Sequence, residues 1–337
     1  MSLATVITRT NFGIKAEKVD VEVHLGMGIP AFNIVGLAET SVKESKDRVR
    51  SAIINSHFEF PSRKIVVNLS PADVPKSGTG FDLAIAIGIL IASGQLDGKS
   101  CCNVEFVSEL ALSGELKEPD GLFPAALAAV SAQHKMITAY TRKTELAYIP
   151  GLDLTCAKSL NDVVNHVTGK HPLITEKPLR TVEESNELLI EDVIGQEQAK
   201  RALELAAAGG HHLLMFGPPG TGKSMLAARF RFLVPPPVLS DVMESAAIHS
   251  VAGLPQDHTL WQRVPFRSPH HTCSAVALIG GTARARPGEV SLAHKGILFL
   301  DELTQFDKRA IDAMREPLET GKISISRAAK QMEYPAN

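Results

Sequence analysis

The chain has 337 residues, 44% of them hydrophobic and 21% charged, with a formal net charge of −2. That length accommodates two domains, each with its own core. The near-neutral charge excludes a protein that coats nucleic acid by bulk attraction, so any DNA contact must come from local clusters.

The four cysteines, Cys101, Cys102, Cys156 and Cys273, show neither metal-binding nor disulfide spacing and read as reduced thiols. The most apolar run, 83–92, is far short of the roughly 20 residues that span a bilayer. The opening "MSLATVITRTNFG" lacks the apolar stretch of a secretory signal. The expectation is a cytoplasmic protein with no membrane partner.

In chain order, Val19, Val21, Val23 and Leu25 alternate with Asp20, Glu22 and His24, which predicts a half-buried strand. "SVKESKDRVRSAII" predicts a helix with Val42, Val49 and Ile53 on one side, and "RKIVVNLS" another strand. The stretch "PKSGTGFDLAIAIGILIA" (75–92) puts glycines and hydroxyls ahead of an apolar helix. Short strands and Ala-rich helices continue through "GLFPAALAAVSAQ" and "AKSLNDVVNHVTG", so residues 1–170 read as a mixed α/β domain. Residues 171–190, with prolines, charges and weak periodicity, read as a linker. From 191 onward "GQEQAKRALELAAAGG" predicts a helix closed by glycine, "HHLLMFG" a buried strand, and "KSMLAARF" a second helix.

Between that strand and that helix lies "GPPGTGKS", Gly217–Pro218–Pro219–Gly220–Thr221–Gly222–Lys223–Ser224, followed by Met225. The pattern G-x-x-x-x-G-K-[ST] in this context is a phosphate-binding loop. Glycines let several N–H groups converge on one phosphate, the helix N-terminus adds its positive end, Lys223 reaches the β- and γ-phosphates, and Ser224 ligates Mg²⁺. The expected cofactors are therefore ATP and Mg²⁺. Further on, "GILFLDEL" predicts a buried parallel strand over 297–300 with Asp301 and Glu302 at its carboxyl end. Asp301 is the candidate Mg²⁺ ligand and Glu302, with Lys223, the candidate catalytic residue, polarising the attacking water. His270 and His271 in "SPHHT" have no third ligand at useful spacing and read as structural.

"IGQEQAKRALELAAAGGHHLLMFGPPGTGKS", "VPFRSPHHT", "RPGEVSLAHKGILFLDEL" and "EPLETGKISISRAAKQMEYPA" resemble the magnesium-chelatase-like branch of the AAA+ ATPases, and within it the ComM/YifB-type proteins, over essentially the whole chain. The resemblance implies a Lon-protease-like (ribosomal S5 domain 2-like) α+β domain followed by a P-loop AAA+ α/β domain. It also implies a homo-hexameric ATPase acting on single-stranded or branched DNA, as a branch-migration helicase in natural transformation. Past "EYPA" the family pattern holds a strand with a polar sensor, an arginine finger and a helical lid, none of which falls within these 337 residues.

Lys223 and Asp301 are 78 positions apart, which leaves room for an insertion. In it, "GGTARARPGE" carries Arg284 and Arg286 on a glycine- and proline-bounded loop. "GKISISRAAKQ" reads as a hairpin bearing Lys322, Arg327 and Lys330. These five cations are the candidate DNA contacts, a solvated surface loop being the alternative for the first two.

Two other functions compete: a metal-insertion chaperone like a chelatase subunit, and an ATP-dependent protease. The protease needs a serine with a lysine to take its proton. Lon-type proteins hold that serine two residues before the last glycine of the 75–80 stretch, where this chain has Gly78. Their lysine follows a glycine–leucine pair, where this chain has Phe123. Ser77 and Thr79 have no evident base, since Lys76 is the chain neighbour of Ser77 and points elsewhere. Asp82 reads as a charge complementing the start of the following helix.

Overall fold

A computed structural model describes residues 3–140, 145–174, 188–254, 263–281, 285–327 and 330–337. The chain divides into two compact units, 1–179 and 180–337. Most of the predicted linker lies outside the described residues.

The first unit contains β1 (Leu3–Phe12), β2 (Lys15–Gly26), β3 (Ala31–Val35), α1 (Thr40–Lys43), α2 (Ser45–Asn55), β4 (Lys64–Ser70), α3 (Asp82–Ala92), β5 (Val104–Phe106), β6 (Glu109–Leu110), β7 (Leu116–Lys117), α4 (Leu122–Ser131), β8 (Lys135–Ala139), β9 (Asp153–Ala157) and α5 (Leu160–Val167). Seven of its strands form one mixed sheet in the order β3-β4-β2-β1-β5-β8-β9. The pairs β1–β2 and β2–β4 are antiparallel and the rest parallel. The alternation in β2 does what its period dictates: Val19, Val21, Val23 and Leu25 are buried on one face.

Against that face lies α3, every residue of which is buried. A helix apolar all round needs cover on all sides, and Gly88 lets it approach the sheet: a Cβ there would sit 2.6 Å from Val23 Cγ2. Side chains alternate along β1, so Val6 joins the α3 core while Arg9 faces the other way, donating to the Ala128 carbonyl in α4 at 3.1 Å. Helices thus cover both faces of the sheet.

Buried charge is concentrated in two clusters. Arg9 binds Glu105 in a bidentate pair (Nε–Oε2 2.7 Å), and the His134 ring sits 2.8 Å from the same carboxylate. Asp82 opens α3 as the sequence suggests, but it does more than complement the helix. Arg48 from α2 binds it through two hydrogen bonds of 2.6 and 3.0 Å, and the Leu110 amide donates at 3.2 Å. The pair locks α2, α3 and β6 together.

The second unit contains α6 (Glu197–Gly209), α7 (Lys223–Leu233), α8 (Leu239–Ala252), β10 (Phe266–Arg267), α9 (Ala275–Ile279), α10 (Glu289–Leu292), β11 (Ile297–Leu298), α11 (Lys308–Ala313), α12 (Arg315–Thr320), β12 (Lys322–Arg327) and β13 (Lys330–Pro335). β10 and β11 pair in parallel, and β12–β13 is the predicted antiparallel hairpin. Two sequence expectations change here. The strand predicted over 297–300 is two residues long and half-buried. The strand predicted in "HHLLMFG" does not form: Leu213, Leu214 and Phe216 are exposed, and only Met215 packs on the cluster of Ile190, Val193, Leu203 and Leu226. A strand needs a hydrogen-bonding neighbour, and among the described residues none pairs with this segment.

Burial pushes the Asp82 carboxyl up to about 6, against the opposing pull of Arg48 and the Leu110 amide. Since this lies above the ordinary value of 3.8, the folded chain holds the proton more tightly than the unfolded one. The group's contribution is complete below about pH 4 and is lost as pH rises through 6. Arg48→Leu removes the partner of a fully buried carboxylate, so it costs about 3 kcal/mol at pH 7.5 and distinctly less at pH 5, where Asp82 is protonated. Urea unfolding at the two pH values reads this directly, and an equal loss at both contradicts it.

Candidate functional site

The turn that precedes α7 is set by glycine. Gly220 (φ 80°) and Gly222 (φ 85°) are in the left-handed region that side-chain-bearing residues avoid. Gly222 is the N-cap and provides no side chain to satisfy the first amides of α7. These N–H groups stay available to an anion. Thr221 Oγ1 braces the turn by donating to the Pro218 carbonyl at 3.0 Å, and Gln196 from the start of α6 donates to the Thr221 carbonyl at 3.3 Å. Lys223 folds back over the loop, its Nζ donating to the Gly217 and Pro218 carbonyls at 3.0 and 2.9 Å. Two carbonyls of an exposed loop are weaker partners for an ammonium than phosphate oxygens.

Asp301 and Glu302 leave the carboxyl end of β11. Ser224 Oγ donates to Asp301 Oδ2 at 2.8 Å, which joins the phosphate loop to the acidic strand end. A hydroxyl and a carboxylate in contact at a helix start are hard oxygen donors of the kind Mg²⁺ takes, so the residues present fit that ion. Glu302 has a left-handed backbone (φ 53°), and its amide donates to Asp301 Oδ1 at 3.0 Å. Its carboxylate is exposed and faces His271, Nδ1 to Oε2 3.5 Å.

The structure thus brings together Gly217, Thr221, Gly222, Lys223, Ser224, Asp301 and Glu302. Pro219 and Met225 are on the same loop and helix start, exposed. His271, read as structural from the sequence, comes within reach of Glu302, a contact that nothing in its own loop signals.

Of the candidate DNA contacts, Arg284 lies outside the described residues, as do the side chains of Arg327 and Lys330. Arg286 is half-buried and donates to the Ala252 carbonyl at the end of α8 at 3.1 Å. Lys322 is exposed, 3.5 Å from Glu333 across the hairpin. The base of the 280–288 loop is tied to the hairpin by Tyr334, whose hydroxyl donates to the Ala285 carbonyl at 2.9 Å. Burial pushes that phenol up to about 12.

In the first unit, Ser77, Gly78 and Thr79 line a cavity of about 20 Å³ together with Arg9, Asn11 and Asp120. No lysine lines it. Lys76 is buried with its Nζ on the Pro71 carbonyl, and burial lowers its pKa. Phe123 is buried in α4. No helix among the described residues is long and apolar enough to cross a membrane.

Residues 189–337 match the family described as magnesium chelatase, subunit ChlI, and residues 21–141 match subunit ChlI of Mg-chelatase. The chain is 48% identical to the YifB protein of Escherichia coli K12 over 336 residues, all of this chain and 66% of that protein. It is 47% identical to competence protein ComM of Haemophilus influenzae over 345 residues, all of this chain and 67% of that one. A shorter likeness, 46% over 57 residues, links 17% of the chain to 9% of the archaeal Lon protease of Archaeoglobus fulgidus. The chain therefore spans about two thirds of the length of the curated relatives it matches. With both units matched and this identity along its whole length, the chain belongs to the magnesium-chelatase-like family, in its ComM/YifB branch.

Proposed function

We propose that the second unit binds ATP with Mg²⁺ and hydrolyses it, as the nucleotide site of a homo-hexameric AAA+ motor that acts on single-stranded or branched DNA. The observation that carries this reading is the 2.8 Å contact between Ser224 and Asp301. It supports the reading because it joins the glycine loop to the acidic strand end. Lys223 then leaves its two carbonyls for the β- and γ-phosphates, and the amides at the start of α7 take the phosphate charge. Ser224 and Asp301 hold the metal, which supplies charge neutralisation on the phosphate oxygens. Glu302 accepts the proton of the attacking water.

The DNA reading is supported by the likeness to ComM, a competence protein, and by the cations at the 280–288 loop and the hairpin. Branch migration during natural transformation is the finer form of the same proposal. We assign phosphate contact to Arg284, Arg286, Lys322, Arg327 and Lys330 as a group; of these, Arg286 donates to the Ala252 carbonyl and Lys322 lies beside Glu333.

The first unit we read as a Lon-like domain without proteolysis, a reading that rests on its glycine turn ahead of the fully buried helix α3. Among the described residues no lysine lines the cavity beside Ser77 and Thr79, and a cavity of about 20 Å³ holds about one water. No observation favours a chelatase over a DNA motor.

Lys223→Ala in the full-length protein is expected to weaken ATP binding at least ~30-fold by loss of a charge-assisted contact, read by calorimetry. Glu302→Gln is expected to keep binding and to lower kcat by roughly 10² to 10⁴. Unimpaired turnover in that variant removes Glu302 from the mechanism. Forked or three-stranded DNA is expected to stimulate hydrolysis. Arg284→Ala with Lys330→Ala is expected to weaken DNA binding equally for all sequences and to reduce the slope of log K against log salt by about 2. Failure of any branched DNA to bind or stimulate sinks the motor reading.

A further inference from the structure

We infer that β3, the bare edge of the first unit's sheet, binds an extended, acid-flanked segment of a partner protein by taking it as an added strand. The two edges of that sheet differ. At one edge β9 is buried from Leu154 to Ala157; at the other, Ala31, Asn33 and Val35 of β3 are exposed. β3 is bonded to β4 on one side, and the backbone groups on its other side pair with no described residue.

Unpaired N–H and C=O groups recruit a further strand, and proteins ordinarily blunt such an edge with charges, prolines or bulges. The strand "AFNIV" contains neither charge nor proline. Apolar exposure continues past both of its ends, with Met27 (99% exposed) and Ile29 (87%) ahead of it and Leu37 just after it. Side chains alternate along a strand, so Ala31, Asn33 and Val35 share the open face while Phe32 and Ile34 turn to the core. Large apolar side chains gathered along one unpaired edge exceed the scattered exposure of an ordinary surface and mark a site of association.

Charge decides the occupant. Three exposed cations stand at the Ala31 end. Lys64 is opposite Ala31 in the register with β4, Arg63 precedes it, and the Arg50 guanidinium of α2 lies 5.4 Å from the centre of the Phe60 ring. Among the described residues none of the three is ion-paired. Phe60 meets Phe32 of β3 with ring centroids 6.0 Å apart, and Gln95 binds the Glu59 backbone twice, accepting from its amide at 2.9 Å and donating to its carbonyl at 2.8 Å. Arg50 is thus presented beside the edge on a braced support. An acid-flanked segment answers the cations, its backbone answers the free edge, and its alternate apolar side chains cover the exposed row. Nucleic acid would meet the cations alone. The "AFNIV" strand of a second copy would cover the edge but holds no acid for the cations.

The test uses the full-length protein and a labelled synthetic peptide of about ten residues, alternating valine and threonine with glutamates at both ends. Fluorescence anisotropy reads its binding and amide hydrogen exchange reads its place. The peptide is expected to bind below about 1 mM and to slow exchange across 31–35 at least about tenfold. The same peptide with lysines for glutamates is expected not to bind. Arg63→Glu with Lys64→Glu is expected to weaken binding at least about tenfold, and Ile29→Asp with Val35→Asp to do the same. All four positions are exposed, so both variants are expected to keep the wild-type thermal midpoint. The inference is overturned if the acidic peptide does not bind, if the lysine peptide binds as well, if either double variant binds like wild type, or if protection falls outside β3. Protection of 31–35 by single-stranded DNA, or by self-association of the protein alone, overturns the choice of occupant.

Discussion

The hydrogen bond from Ser224 to Asp301 joins two segments 77 positions apart and closes the glycine loop of the second unit onto the end of β11. One end is a loop whose geometry is fixed by left-handed glycines and by the Thr221–Pro218 bond. The other is the end of a two-residue strand that gains direction from its parallel neighbour. Neither end is buried, so the contact rests on its donor and acceptor geometry rather than on an apolar shell. Lys223, Ser224 and Asp301 here have partners weaker than phosphate oxygens or a divalent cation would be.

The first unit obeys the opposite rule. Its core is a helix buried on every side, and its charges are sunk into the packing rather than displayed. Asp82 and Glu105 have fully buried side chains, each held by an arginine. Such pairs add little net stability over apolar substitutes, but one partner left alone is costly. They set the register of α2 against α3 and of β1 against β5. The same packing reaches the segment just before the glycine turn at 77–80. Lys76, the one lysine in the chain next to its hydroxyls, is consumed as a buried donor to Pro71.

Much of this was legible in the residues. The period-2 run at 19–25, the apolar helix 82–92, the hairpin at 322–335 and the loop 217–224 each follow from local rules, because each is specified by neighbours in sequence. What was not legible depends on pairing. "HHLLMFG" has strand composition, yet composition does not provide the adjacent strand that would cover Leu214 and Phe216. Asp82 read as a helix-dipole charge because its real partner, Arg48, is 34 positions away and presented by a different helix.

The hydrogen bonds behind β11 carry the argument one step further. The strand begins just after Lys295, whose amide donates to the Asn337 carbonyl at 2.6 Å, and the Asn337 amide donates to His294 Nδ1 at 3.1 Å. Asn337 follows the end of β13, so the far end of the hairpin is fastened to the root of the strand that presents Asp301 and Glu302. The same histidine meets α8 twice, through Ser245 to its carbonyl and through its Nε2 beside Glu244. Arg286 and Tyr334 fasten the 280–288 loop to α8 and to the hairpin in turn. The acidic strand end is therefore joined by hydrogen bonds to α8 and to the hairpin that carries Lys322.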